Sequence, residues 1–270
     1  MGTARVLILA RGLGTRMRAA DPDAKLTPEQ QKAADSGFKS LVPIGGRPFL
    51  DYVLSSLADA GLTEVGLVVA PGRNLLREHY EAVQTARVTL SFVIQEEARG
   101  TADAVLAAER WAGSDPFVVV NADNLYPAAA LGALTTLDGP GLPVFERDDL
   151  LRTSNIPPER LQSFALLEVD EAGMLRRIVE KPSPAEMPAP GQPMLVSMNC
   201  WRLDARIFPC CRDVPPSARG ELELPQAVML ALTRGVPFRA VRARGPVLDL
   251  SRRNDAAEIT RHLAGAIVAL

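Results

Sequence analysis

The sequence predicts an α/β fold: a Rossmann-like, mixed but mainly parallel sheet flanked by helices, followed by a smaller β-rich part. Three observations carry this. Four short apolar runs, Arg5 to Ala10, Val65 to Ala70, Val88 to Ile94 and Phe117 to Asn121, read as strands buried on both faces. Segments of helical periodicity or high helix propensity separate them, the pattern of successive βαβ units. A glycine loop, Gly12-Leu13-Gly14, follows the first run directly. In such sheets the reactive loops gather at the carboxyl ends of the strands.

The elements follow in order. After the glycine loop comes a polar stretch from Arg18 to Lys39. Within it Thr27, Pro28 and Glu29 have the character of an N-cap, a first-turn proline and an early acid, so a short helix over about Pro28 to Asp35 is expected on an exposed excursion. Pro48 to Ala60 carries Phe49, Tyr52, Val53, Leu57 and Ala60 at helical spacing, and Gly61 supplies the stop. Helices are also expected over Arg73 to Gln84 and over the alanine-rich Thr101 to Trp111. In the second half, Ser163 to Val169 and Leu175 to Val179 suggest a hairpin around Glu171-Ala172-Gly173. Ser183 to Pro193 reads as a loop, Leu195 to Leu203 as a strand, Leu222 to Arg234 as a helix, Phe238 to Ala243 as a strand, and Ser251 to Leu270 as a closing helix.

Bulk properties exclude several classes. The 270-residue chain balances 30 basic against 32 acidic side chains, and a net charge of -2 gives no pull toward nucleic acid or an anionic membrane. No run approaches the ~18 apolar residues of a membrane span, and the N-terminus lacks the long apolar stretch of a signal peptide. A cytoplasmic protein is expected. Cys200, Cys210 and Cys211 form no disulfide or metal framework. His79 and His262 are the only histidines, which argues against a histidine-rich zinc site or a histidine-based triad. A catalytic metal would rest mainly on oxygen ligands, which favours Mg2+.

The glycine loop is neither a dinucleotide fingerprint, since Met17 stands at the third glycine position, nor a P-loop, since no Gly-Lys-Ser/Thr follows. It still lets backbone N–H groups approach phosphate oxygens, and Arg16 adds a permanent planar cation.

The loop, together with Lys39 in Phe38-Lys39-Ser40-Leu41-Val42-Pro43 and Pro48 beyond, resembles the sugar-phosphate nucleotidyltransferases, also called nucleoside-diphosphate-sugar pyrophosphorylases. The resemblance continues in order through Gln95 with Gly100-Thr101-Ala102, Asn121-Ala122-Asp123, Val179-Glu180-Lys181-Pro182, Asn199, the segment Ala218 to Leu224, and Val247-Leu248-Asp249. Each motif is short; their order over residues 5 to 255 is what makes the case.

The resemblance implies the nucleotide-diphospho-sugar transferase fold. Residues 1–145 would be a nucleotide-binding half, 146–250 an acceptor-binding half and 251–270 a closing helix, with an insertion at 18–38. The implied reaction is in-line attack by a phosphate oxygen of a sugar 1-phosphate on the α-phosphorus of a nucleoside triphosphate, releasing pyrophosphate. Asp123 and Asp249 would hold Mg2+. Arg16 would neutralise the departing phosphates, Lys39 would sit near the α-phosphate, and Lys181 would bind the acceptor's phosphate. Glu180, Asn199 and Glu221 would contact the acceptor. Ala10, Arg11, Gly12, Gly14, Thr15 and Ala122 would line the nucleotide site, and Gln95, Gly100 and Thr101 would read the base. Thr101 is also a candidate N-cap of its own helix. The family often forms dimers or tetramers, so a homo-oligomer is compatible.

Three departures stand out. Arg11 replaces the loop's usual first glycine. The stretch from Arg16 to Lys39 is longer than usual, and its polar composition suggests a mobile excursion. Asp249 is followed by Leu250-Ser251-Arg252 where a glycine-threonine pair is common, and Asn199 by Cys200-Trp201, with Trp201 a candidate wall of the acceptor pocket. Gly100 to Ala104 is reminiscent of adenylyl-transferring members and Arg219 to Glu223 of thymidylyl-transferring ones, so the base stays open. Other readings are transfer to a phosphorylated alcohol such as choline phosphate, a glycosyltransferase using a nucleotide-sugar, or a non-catalytic regulatory protein. The cations at Arg16 and Lys39 suit a departing pyrophosphate and speak against the glycosyltransferase.

Overall fold

A computed structural model describes residues 2–12, 14–19, 24, 26–161, 164–180, 182–183, 186–187 and 192–270. The chain starts with β1 (Arg5–Leu9), the one-turn α1 (Thr15–Arg18) and α2 (Pro28–Ser36). A 3-10 turn (Lys39–Leu41) leads to the small ribbon β2 (Pro43–Ile44) and β3 (Arg47–Pro48). Then follow α3 (Phe49–Asp59), β4 (Glu64–Val69), α4 (Leu75–Ala82), β5 (Thr89–Ile94), α5 (Thr101–Ala107), α6 (Glu109–Ala112) and β6 (Phe117–Asn121). The second half runs β7 (Asn124–Leu125), α7 (Ala128–Thr135), β8 (Gly141–Glu146), α8 (Arg147–Thr153), α9 (Pro158–Leu161), β9 (Leu166–Val169), β10 (Leu175–Val179), β11 (Leu195–Ser197) and β12 (Trp201–Leu203). It ends with α10 (Ile207–Asp213), α11 (Leu224–Thr233), β13 (Arg239–Ala243), β14 (Leu248–Asp249) and α12 (Asp255–His262).

One sheet joins most of these strands in the order β10-β9-β11-β8-β12-β6-β1-β4-β5, with β13 alongside β8. The pairs β1·β4, β1·β6, β4·β5 and β8·β13 are parallel, and the remaining pairs in the sheet are antiparallel. The apolar runs behave as their sequence demands. Along β1 and β6, Val6, Ile8, Val118 and Val120 face one core, while Leu7, Phe117 and Val119 face the other. A strand buried on both faces has no polar side to show, which is why these runs do not alternate.

The topology decides where a ligand can sit. From β1 the chain moves outward through β4 and β5, then returns to place β6 on the other flank of β1. The crevice beyond the carboxyl ends of β1 and β6 is therefore a switch point, where open α/β sheets bind ligands.

Three expected elements and one expected side-chain role differ. Leu195 to Leu203 is not one strand: the chain breaks at Asn199, whose φ of 54° is left-handed, so β11 pairs with β8 and β9 whereas β12 pairs with β6 and β8. The closing helix covers only Asp255–His262; turns follow it, with Gly265 at φ 79°, and residues 266–270 are irregular. Thr101 to Trp111 is two helical pieces that meet at Ala108. Trp201 is no pocket wall. It is fully buried in the same core as Phe117 and Phe208 and so has no surface to offer a ligand. No described helix is long and apolar enough to cross a membrane.

Candidate active site

A cavity of about 420 Å3 lies at the switch point. Ala10, Arg11, Gly12 and Thr15 enter it from the end of β1, and Asn121, Ala122 and Asp123 from the end of β6. Gly37, Phe38, Lys39 and Ser40 form one wall, Gln95, Gly100 and Thr101 another, and Glu221 reaches in from the segment before α11. Main-chain bonds fix this frame: the N–H of Ala10 donates to Val68 and that of Ala122 to Leu9, each at 3.2 Å.

Gly14 and Gly100 each need their missing side chain. Gly14 has φ 61° and caps α1; a Cβ there would lie 2.1 Å from the Gly37 carbonyl oxygen. Gly100 has φ 121°, and its Cβ would lie 2.4 Å from the Leu222 carbonyl oxygen. That close approach lets Leu222 bridge the loop: its N–H donates to Arg99 at 2.7 Å and its carbonyl accepts from Ala102 at 2.8 Å. Thr101 does not cap its own helix, because Gly100 holds that position. Its hydroxyl instead accepts the N–H of Leu224 at 2.8 Å and so caps the start of α11. These bonds carry Glu221 to the cavity.

Gln95 is buried, and its amide nitrogen donates to the Gly100 carbonyl at 3.2 Å and to Asp103 at 2.8 Å. Arg11 donates to the Glu96 carbonyl at 3.0 Å and thereby ties the glycine loop to the loop after β5.

The charged centre joins Lys39 and Asp123, whose Nζ and Oδ2 lie 2.9 Å apart. Beside them is Asp249. Strand β14 pairs antiparallel with β7, setting Asp249 opposite Asn124, and the N–H of Leu250 donates to the Asp123 carbonyl at 2.8 Å. Asn155 holds Asp249 by its backbone, accepting from its N–H at 2.8 Å and donating to its carbonyl at 2.9 Å. Burial first, and the negative charge of Asp123 second, push the Asp249 carboxyl above its ordinary range; Arg160, 4.0 Å from Oδ1, opposes this. Oδ1 is buried and accepts no hydrogen bond. Two neighbouring carboxylates, one with an orphaned buried oxygen, fit a hard divalent cation with oxygen ligands.

Several expected site residues stand apart from the cavity. Arg16 is exposed on α1, Glu180 is exposed just past β10, and Asn199 is exposed in the turn between β11 and β12; none lines it. Lys181 lies outside the described residues. Gly14, packed on Gly37, and Asp249, buried beside Asp123, do not line the cavity either. Most of the nucleotide candidates thus gather at the cavity with Asp123 and the acceptor candidate Glu221, while Arg16, Glu180 and Asn199 do not join them. Sequence reading missed Asp103, Asn155 and Arg160, which hold Gln95 and Asp249. Asp103 sits in the first turn after the Gly100 motif; the other two left no local signal.

Residues 5–249 match the sequence pattern of the family described as Nucleotidyl transferase. The chain belongs to this nucleotidyl transferase family. Within it, the chain is 25% identical over 259 residues to the UTP–glucose-1-phosphate uridylyltransferase AglF of Haloferax volcanii, covering 96% of each. It is 24% identical to the low-salt glycan biosynthesis nucleotidyltransferase Agl11 of the same organism and spans 64% of that protein's length. It is 26% identical to a glucose-1-phosphate thymidylyltransferase of Streptomyces antibioticus and spans 65% of it. A crystal structure of UDP-glucose pyrophosphorylase complexed with UDP-glucose superposes with a TM-score of 0.73 at 19% identity, covering 97% of this chain and 99% of the other, and so shares the fold.

Proposed function

We propose that this nucleotidyl transferase family member moves a nucleoside monophosphate from a nucleoside triphosphate to a sugar 1-phosphate and releases pyrophosphate. The observation that carries this is the Lys39–Asp123 pair in the switch-point crevice beside the glycine loop, with the buried Asp249 next to Asp123. Membership of the family and the names of its relatives support it.

An acceptor phosphate oxygen bonds to the α-phosphorus as the bond to the bridging oxygen of pyrophosphate breaks. Both reactants are anions, and the acceptor oxygen is already ionised, so no base is required. Positioning and charge neutralisation supply most of the rate. The glycine-loop N–H groups cradle the phosphates. Lys39, held on Asp123, offers its ammonium beside the α-phosphate. Arg16, on the solvent side of α1, meets the departing β- and γ-phosphates. Gln95, whose amide N–H groups are taken by Asp103 and Gly100, presents its amide oxygen to the base edge with Thr101. Lys181, Glu180, Asn199 and Glu221 are assigned to the acceptor. Asp123 and Asp249 would hold Mg2+, which when bound neutralises phosphate charge and polarises the reacting phosphorus.

The names of the relatives favour UTP or dTTP with glucose 1-phosphate. A cytoplasmic location and a homo-oligomer belong to the same reading. The test is pyrophosphate release with Mg2+ across a panel of triphosphates and sugar 1-phosphates, with Asp123→Ala as control. Release from one pair, lost in the control, supports the reading. Triphosphate binding with no release from any pair defeats it.

A further inference from the structure

The excursion between α1 and Lys39 has no part in the chemistry above, yet its described portion is docked. Thr27 and Gln30 form a reciprocal capping box at the start of α2. Gln30 donates its amide to the Pro43 carbonyl at 2.8 Å, and Ala34 is fully buried. The far end of α2 reaches the glycine loop: Gly37 packs backbone to backbone on Gly14, leaving no room for a Cβ on Gly14. Arg18 lies across Gly37 and donates to the Ser36 carbonyl at 3.1 Å.

Arg253 spans this junction and is only 4% exposed. Its Nε donates to the carbonyls of Met17 at 2.8 Å and Ala19 at 2.9 Å. Its Nη2 donates to the Arg18 carbonyl at 3.1 Å and to Asp35 of α2 at 2.7 Å. One guanidinium therefore satisfies the carbonyl end of α1 and fastens it to α2. Arg253 itself rides on a short anchored strap. The strap begins at Asp249 and ends at Asp255, which Arg160 grips at 2.9 and 3.2 Å and which accepts the N–H groups of Ser251 and Arg252.

We propose that Arg253 is a positioning residue for the triphosphate: it locks the loop that carries Thr15 and Arg16 to the excursion helix and to the strap that presents Asp249. It touches no reacting atom, and the proposal rests on the nucleotidyl-transfer reading. Four acceptors in two directions suit a rigid planar fork, and a lysine ammonium cannot reach them together. The exposed acceptor-side residues Glu180 and Asn199 share none of these bonds, so the effect falls on one substrate.

The test measures Mg-UTP and Mg-dTTP affinity by calorimetry without acceptor, and KM for each substrate, in the parent, Arg253→Lys and Asp35→Ala. Lysine should weaken triphosphate binding about tenfold or more, and Asp35→Ala about threefold, because misplacement of a binding group by ~1 Å is costly. Acceptor KM should stay within about twofold, a split that general loosening would not produce. Should Arg253→Lys not fold, Asp35→Ala decides by the same split; its carboxylate is 56% exposed. Parent-like triphosphate affinity in the folded variants, or equal weakening toward both substrates, overturns the proposal. A parent that binds no triphosphate of the panel, read before any variant, fells the functional reading itself, whereas a parent that prefers another base is tested with that triphosphate.

Discussion

Asp249 is only 7% exposed, it lies beside Asp123, and its Oδ1 accepts no hydrogen bond, with the Arg160 guanidinium 4.0 Å away. Such a carboxylate is held against its electrostatics on balance: burial and the charge of Asp123 disfavour the ionised form, and Arg160 and a Ser251 hydrogen bond offset them only in part. A fold keeps a group of this kind where the charge has work to do. The neutral isostere should therefore separate stability from activity. Asp249→Asn keeps the shape and removes both the repulsion from Asp123 and the weaker attraction of Arg160, so in metal-free buffer it should melt at or above the parent temperature. Pyrophosphate release should fall by ~100-fold or more, on the scale of losing a group that stabilises developing charge. A variant that melts well below the parent would assign Asp249 to folding. Lys39 gives the complementary case. Its pairing with Asp123 is partly exposed, so Lys39→Met should cost little stability, of order 1 kcal/mol or less. The same change should lower kcat/KM by roughly 100-fold, with melting and kinetics measured on one preparation.

At the scale of elements, the loop after β5 and the start of α11 are built as one piece. Gly100 gives up its side chain so that Leu222 can cross it, and Thr101 then caps α11. Thr101→Val removes that cap while keeping the shape, and the loss should be ~1 kcal/mol in chemical denaturation. Thr101→Ser should restore it, and no recovery with serine would show that the hydroxyl is not the cause. Gly100→Ala should cost more, about 1–3 kcal/mol from the strained φ and the backbone clash, with Glu221 displaced from the cavity. The same piece shows what sequence can and cannot convey. Gly100 and Thr101 were visible as a motif, because a glycine before a helix is a local signal. That Thr101 caps a helix more than a hundred residues away was not, because the partner is tertiary. Likewise Thr27 and Pro28 announced α2, whereas Arg253, which fastens that helix, gave no sign outside the fold. The strands divide the same way. Apolar runs made β1, β4, β5 and β6 legible. Gly141–Glu146 carries no strand signal in the sequence: its Pro143 argues against an interior strand, yet it pairs on both sides as β8. Asn199 hid a break that only its left-handed backbone reveals.

Across the whole molecule, the sheet has a core on each face, and β1 and β6 contribute side chains to both. The nucleotide-side strands and the β8–β11 strands are joined through β12 and β6 into that one sheet. Disrupting either core should therefore break the strands that define the other, and unfolding should be a single cooperative event. The cysteines report on this without engineering. Cys200 belongs to one core and Cys210 and Cys211 to the other, and all three are buried. Burial pushes the Cys200 thiol far above its ordinary range and Cys211 up to about 12, so both stay protonated and unreactive in the native state. Native protein at pH 8 should label with a thiol reagent at none of the three sites, and fully unfolded protein at all three. In a urea series read by mass spectrometry, Cys200 and the Cys210–Cys211 pair should become reactive at the same midpoint. If the pair labels at clearly lower urea than Cys200, the two faces open separately and the shared sheet does not couple them. Triphosphate with Mg2+ should then move both midpoints upward together, since a ligand that binds the native state raises the cost of the only opening available.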